Sequence, residues 1–151
     1  MRVDELMSRD VKTIGVGESC HAAVARMAHA RIRHLPVVDS VDRLVGIVTD
    51  RDLRHRLFTP DVFRGIGTVP VESLLKDVSI REVMATSVVT VSPRDDLETA
   101  ARLMLEHKLG SLPVVEAGRV VGIITETDLL RQVVKDDACC HEVETIVVSY
   151  P

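Results

Sequence analysis

With 151 residues, 46% of them hydrophobic and 28% charged, the chain is long enough to bury one good core and reads as globular and soluble. No apolar run approaches the roughly 20 residues that span a bilayer, and the start Met1-Arg2-Val3-Asp4-Glu5 carries no secretory apolar region, so a cytoplasmic protein is expected. A net charge of −4 with Phe58, Phe63 and Tyr150 as its aromatics argues against a nucleic-acid binder, while Cys20, Cys139 and Cys140 are too few for a disulfide framework and suit a reducing compartment.

In chain order, Val11–Val16 reads as a short β-branched strand after a turn at Met7. Ser19 or Glu18 then opens a helix with Ala22, Ala23, Val24 and Met27 on one face. Leu35–Val38 is a strand entered through Pro36, a polar turn follows at Asp39, Ser40 and Asp42, Leu44–Thr49 is the next strand, and Asp50 to Leu57 a second helix. Residues 58–79 form a linker whose Pro60, Gly65, Gly67 and Pro70 mark an irregular connection, with a short helix at Val71–Lys76. The same order then returns: strand Val88–Val91, helix from Asp95 or Asp96 to His107, strand Leu112–Val115, turn at Ala117-Gly118, strand Arg119–Thr125, helix Glu126–Val134. Pro36 and Pro113 are expected as first residues of their strands, where no ladder donor is needed. The tail, 135–151, ends in a strand-like run at Thr145–Ser149.

The two passes are copies. Met7 aligns with Met84, Thr13 with Thr90, Met27 with Met104 and Leu35-Pro36-Val37-Val38 with Leu112-Pro113-Val114-Val115, all offset by 77; after a one-residue loss at the hairpin turn, Thr49 aligns with Thr125 and Asp52 with Asp128, offset by 76. A repeat of this size usually means a unit that cannot bury its face alone. Two such units, 1–57 and 80–134, share a core and leave a groove between them.

The chemistry concentrates in Gly46-Ile47-Val48-Thr49-Asp50-Arg51-Asp52 and Gly122-Ile123-Ile124-Thr125-Glu126-Thr127-Asp128. Each is a strand turning into a helix, with a hydroxyl at the crossing and a carboxylate in the first turn. Thr-x-x-Asp is a helix capping box in its own right. It also sets a hydroxyl beside the free N–H groups of a helix N-terminus, which suit a phosphate, and a carboxylate able to accept both hydroxyls of a ribose. The two readings are compatible.

Leu-Pro-Val-Val followed by Val-Gly-Ile-(Val/Ile)-Thr-x-x-Asp-Leu, twice and in register, resembles a tandem pair of cystathionine-beta-synthase (CBS) domains, over residues 3–57 and 80–134. The resemblance implies an α/β (α+β) fold of two β-α-β-β-α units packed through their sheets about a pseudo-twofold axis. It implies no enzyme and no obligatory cofactor, but a regulatory module that binds AMP, ADP or ATP, or S-adenosylmethionine or NAD, in clefts between the repeats. Two such pairs would form a homodimeric disc and act on a protein partner in trans.

Carried over by position, Asp52 and Asp128 would hold the ribose of two separate sites, and Thr49 and Thr125 would contact phosphate or ribose. Thr13-Ile14 and Thr90-Val91 would flank adenine, and Pro36 and Pro113 would lie on its side of each cleft. The phosphate tail would reach Arg33 and His34 in the Asp128 site, and Gly110 and Ser111, with Lys108 nearby, in the Asp52 site.

The copies differ in charge. Residues 26–56 hold seven arginines (26, 31, 33, 43, 51, 54, 56) against Asp39, Asp42, Asp50 and Asp52. Arginine's planar fork suits phosphate, so Arg33 and His34 are read as ligand contacts, Arg51 as either a contact or a solvated side chain, and Arg54 and Arg56 as a solvated helix face. The Asp128 site is therefore expected to bind phosphate more strongly. Cys139-Cys140-His141 lacks the spacing of a structural zinc site. His29 and His34 have no nucleophile partner that would point to an enzyme. The alternative to a nucleotide sensor is an interaction module with empty or vestigial clefts, in which Thr49 and Asp52 only cap a helix.

Overall fold

The structure, a computed structural model, describes residues 1–57 and 71–136. Its elements are α1 (Val3–Leu6), β1 (Ile14–Gly15), α2 (Cys20–Ala30), β2 (His34–Val38), β3 (Leu44–Thr49), α3 (Asp50–Leu57), α4 (Val71–Lys76), a 3-10 turn at Ile80–Glu82, α5 (Leu97–His107), β4 (Ser111–Glu116), β5 (Arg119–Thr125) and α6 (Glu126–Asp136). The irregular connection expected at Pro60, Gly65, Gly67 and Pro70, the strand-like run expected at Thr145–Ser149 and Cys139-Cys140-His141 lie outside the described residues.

Local chemistry sets the helix starts. Ser19 Oγ accepts the Ala22 N–H at 3.2 Å and Asp96 the Thr99 N–H at 2.7 Å, capping α2 and α5. Cys20, Ala23 and Met27 face the first core from α2, and Ala100 and Met104 face the second from α5. Val24 is 40% exposed, because the buried stripe of α2 runs through positions 20, 23 and 27 and Val24 falls outside it.

In the first unit, β1, β2 and β3 make a sheet in that order, parallel between β1 and β2 and antiparallel between β2 and β3. In the second, β4 and β5 pair antiparallel in the same register, and the third strand shrinks to one parallel bridge, Val91 to Val114. The strands expected at Val11–Val16 and Val88–Val91 are thus cut to two residues and one, since only Ile14 and Gly15 have partners in β2 and only Val91 has one in β4. This shortening also explains the prolines. Pro36 and Pro113 are not first residues but stand third within β2 and β4, fully buried. The Pro113 carbonyl accepts the Val91 N–H, so the side lacking a proline N–H faces an edge where the neighbouring strand has not yet begun.

The hairpin turns carry the one-residue difference. Ala117 and Gly118 both have positive φ, at 51° and 79°, the signature of a two-residue hairpin turn. The longer first turn is held by Asp39, whose Oδ1 accepts N–H groups from Val41 and Arg43 at 2.9 Å.

The units do not share one core, as the repeat suggests; each has its own, completed by a segment belonging to the other copy or leading into it. Val3 and Met7 lie in the second core with Val91, Met104, Leu112 and Ile124, whereas Leu75 and Ile80 lie in the first with Ile14, Leu35 and Val48. The exchange is symmetric: Val3 N–H donates to Asp95 O and Ile80 N–H to Glu18 O; Ser8 bridges Ile123 and Ala85 bridges Ile47. Met84 Sδ lies where a Cβ on Gly46 would come within 2.6 Å of it, and Met7 Sδ occupies the matching space at Gly122. Leu44 N–H reaches Gly118 O, so the units also meet along their sheets. The result is a mixed α/β pair related by a pseudo-twofold axis.

Candidate functional site

The two strand-to-helix crossings have the same geometry. In the first, Asp52 Oδ2 accepts from both Thr49 N–H and Thr49 Oγ1–H at 2.8 Å, and Thr49 Oγ1 accepts the Asp52 N–H at 3.2 Å. In the second, Asp128 Oδ2 accepts from Thr125 N–H at 2.9 Å and Thr125 Oγ1–H at 2.7 Å, and Thr125 Oγ1 accepts the Asp128 N–H at 3.3 Å. The capping box is therefore built in both units and uses Oδ2 of each aspartate. Oδ1 of Asp128 lies 3.9 Å from Arg131 Nη1.

A cleft of about 430 Å³ opens at the Asp128 crossing. Thr125, Glu126, Thr127, Asp128 and Arg131 wall it from β5 and α6; Arg31, Ile32, Arg33 and His34 wall it from the other unit. The joining segment supplies Ser8, Asp10, Val11 and Lys12. Its charged lining is mixed with an excess of one cation: Lys12, Arg31, Arg33 and Arg131 stand against Asp10, Glu126 and Asp128. Lys12 is held by Asp10 at 2.8 Å in an exposed pair, a contact that an incoming anion could replace at little cost. Arg31 caps α2 in the left-handed conformation, φ 54°, which ends the helix and turns Ile32 and Arg33 toward the cleft. A second cavity of similar volume, among Arg2, Arg9, Arg94 and Glu116, holds neither crossing aspartate.

Four of the residues singled out from the sequence thus share one cleft: Arg33, His34, Thr125 and Asp128. Thr49 and Asp52 sit together at the other crossing. Ile14, Val91, Pro36 and Pro113 are sealed inside the sheets and do not line the Asp128 cleft. Thr13 is half-buried and its carbonyl accepts from Arg26, while Thr90 is exposed. Arg51 is exposed on α3, and Arg54 pairs with Asp50 at 2.7 Å. Gly110, assigned from the sequence to the Asp52 side, lines the Asp128 cleft, where its lack of a side chain admits the His34 ring. Ser111 is 4% exposed and its Oγ has no hydrogen-bond partner among the described residues.

Sequence reasoning missed the wall from Ser8 to Lys12. The available signal is Met7, which repeats in register with Met84. A buried methionine followed by a largely polar stretch, Ser8 to Lys12, marks a segment leaving one core for another. At the positions of the Asp52 side equivalent to Lys12, Arg31, Arg33, His34 and Arg131 stand Val89, Lys108, Gly110, Ser111 and His55. No group of three or more His, Cys, Asp or Glu side chains able to hold a metal occurs among the described residues, and no described helix is long and apolar enough to cross a membrane.

The CBS domain family model matches residues 3–59 and 80–135. Protein MJ1225 of Methanocaldococcus jannaschii is 35% identical over 130 residues, which are 85% of this chain and 46% of that protein, so the chain spans about half the length of this relative. The crystal structure of MJ1225 superposes with a TM-score of 0.79 at 34% identity, covering 87% of this chain and 47% of that one. The CBS domain pair of protein MJ0100, solved in complex with 5'-methylthioadenosine and S-adenosyl-L-methionine, gives a TM-score of 0.76 at 25% identity over 91% of this chain and 98% of that one. The structure of CBSX2 in complex with AMP gives 0.73 at 28% identity over 89% and 97%. Two family matches in tandem, two capping boxes in register and these superpositions place the chain in the CBS domain family, as a CBS domain pair.

Proposed function

We propose that this CBS pair senses a phosphate-bearing adenosine compound of the AMP, ADP and ATP class, bound in the Asp128 cleft. The observation that carries the reading is the convergence of Asp128, with one carboxylate oxygen committed to the cap, and Arg33 from the other unit on opposite walls of one cleft. Asp128 would accept the ribose hydroxyls. Lys12, Arg31 and Arg33 would take the phosphates, since a guanidinium donates paired bonds to phosphate oxygens. The complexes of CBSX2 and the MJ0100 pair with adenosine compounds support the ligand class.

Because the walls come from both units and from the segment exchanged between them, a bound ligand favours one relative placement of the units, and it shifts the equilibrium by its differential affinity. Signalling would then pass in trans, to a partner protein or through self-assembly. Leu105, Leu130, Val133 and Val134 are 62–80% exposed on α5 and α6, which supports a homodimer and also favours the second reading, an interaction module with unused clefts. A thermal-shift panel of AMP, ADP, ATP, S-adenosylmethionine and NAD on wild type and Asp128→Ala separates the two. A shift lost in the variant supports the sensor, since a ligand at 100 times Kd adds about 2.7 kcal/mol. No shift with any compound moves the weight to the interaction module.

A further inference from the structure

His34 carries a property that the second copy cannot share. It opens β2, pairs with Thr49 across the sheet, and directs its ring over the seam to the other unit. Its Nε2 would stand 3.3 Å from a Cβ on Gly110, and Glu126 Oε2 3.8 Å from the same point. The Gly110 carbonyl in turn accepts the Glu126 N–H that opens α6. One half-buried imidazole thus packs against the loop before β4, whose Gly110 carbonyl holds the first turn of α6, the turn that carries Asp128. The equivalent residue is Ser111, which does not titrate in the accessible range.

The groups facing His34 come from each element around it. Arg33 is its neighbour in the chain, Asp50 and Asp52 begin α3, and Glu126 begins α6. Asp10, Lys12, Arg31, Asp128 and Arg131 share the cleft. Burial pushes the imidazole below the ordinary histidine range; Arg33 acts in the same direction, whereas Asp50, Glu126 and Asp52 oppose it. The net effect favours the neutral ring. A phosphate brought to Arg33 adds negative charge inside the same walls, and a nearby anion favours the imidazolium.

Resting on the nucleotide-binding reading above, we propose that His34 takes up a proton when a phosphate-bearing ligand enters the Asp128 cleft, so that affinity depends on pH through this one side chain. The sign follows from linkage. The bound form has the higher His34 pKa, so the added affinity is full at pH below the ligand-free pKa and is lost as pH rises through the bound-state pKa.

Calorimetric titration of ATP between pH 6 and pH 8, in paired buffers of different ionisation heat, tests this on wild type, His34→Gln and His34→Ser. The serine variant carries the side chain found at the symmetric position, which guards against a folding defect. Wild type should show net proton uptake beyond that of either variant. The ratio of wild-type to variant affinity should rise roughly three- to tenfold from pH 8 to pH 6, a ratio that cancels the titration of the ATP phosphates. Adenosine, which has no phosphate, should show no excess uptake. Tight ATP binding with equal proton uptake in all three proteins overturns the role of His34 and leaves the nucleotide reading standing. Absence of binding of AMP, ADP and ATP alike, at every pH, overturns that reading itself.

Discussion

The two crossings in this chain share a backbone and differ in charge. Thr49–Asp52 and Thr125–Asp128 repeat each other to within about 0.1 Å in every hydrogen bond of the capping box. Around Asp128 stand Lys12, Arg31, Arg33, His34 and Arg131, where the Asp52 side has Val89, Lys108, Gly110, Ser111 and His55. Pseudo-symmetry thus binds the residues that hold the frame and leaves cleft side chains free to diverge. A cap must satisfy the first N–H groups of its helix in both units; an exposed arginine answers to the ligand alone.

The largest test of the shared frame is the exchange of segments between cores. Ile80→Ala should cost about 2–5 kcal/mol, and Val3→Ala, which removes less from the symmetric position, roughly 1–3 kcal/mol. Both should lower one cooperative transition, because each residue completes the core of the other unit. Two separate transitions in thermal denaturation would show that the units do not depend on the exchange.

The clefts themselves should separate next. Asp128→Ala should weaken ATP binding about 10- to 100-fold, the range of a charged hydrogen bond, while Asp52→Ala leaves that titration within about threefold. Equal losses would remove the asymmetry. Arg33→Gly, which copies the other unit, should then cost ATP roughly tenfold and adenosine little, the difference shrinking as salt is raised.

Two smaller effects sharpen the comparison within the frame. Ser111→Ala should raise stability by about 1 kcal/mol, since it removes a buried hydroxyl without a partner. Weakened ligand binding in this variant would instead assign that hydroxyl to the Asp52 side. Glu18 accepts from Arg26 at 2.9 Å and from Gly15 N–H at 2.7 Å, and the Arg26 guanidinium holds its carboxyl below the usual range. Its lowered pKa means a contribution present above about pH 4.5 and lost as pH falls through the native value. Glu18→Gln should therefore destabilise the chain by less than about 1 kcal/mol at pH 7 and by less as the pH is lowered, as measured by urea unfolding at each pH.

What was legible in the sequence is whatever depends on near neighbours in the chain. The capping boxes, the N-caps Ser19 and Asp96, the Ala117-Gly118 turn and the buried Met27 and Met104 all follow from contacts within a few residues. The doubled motif added the pairing of the units, and the family resemblance it carries implied the meeting of Arg33 and His34 with Asp128. Three features were decided only by tertiary structure. Strand β1 stops at two residues because pairing partners, not β-branched composition, set its length. Pro36 and Pro113 sit inside strands because the neighbouring edge starts after them. The segment from Ser8 to Lys12 walls a cleft because Val3 and Met7 are buried in the second core and Ile14 in the first, a connection more than 100 residues apart in sequence for Met7 and Gly122. No local pattern encodes that distance; it is fixed by which apolar residues find a common core.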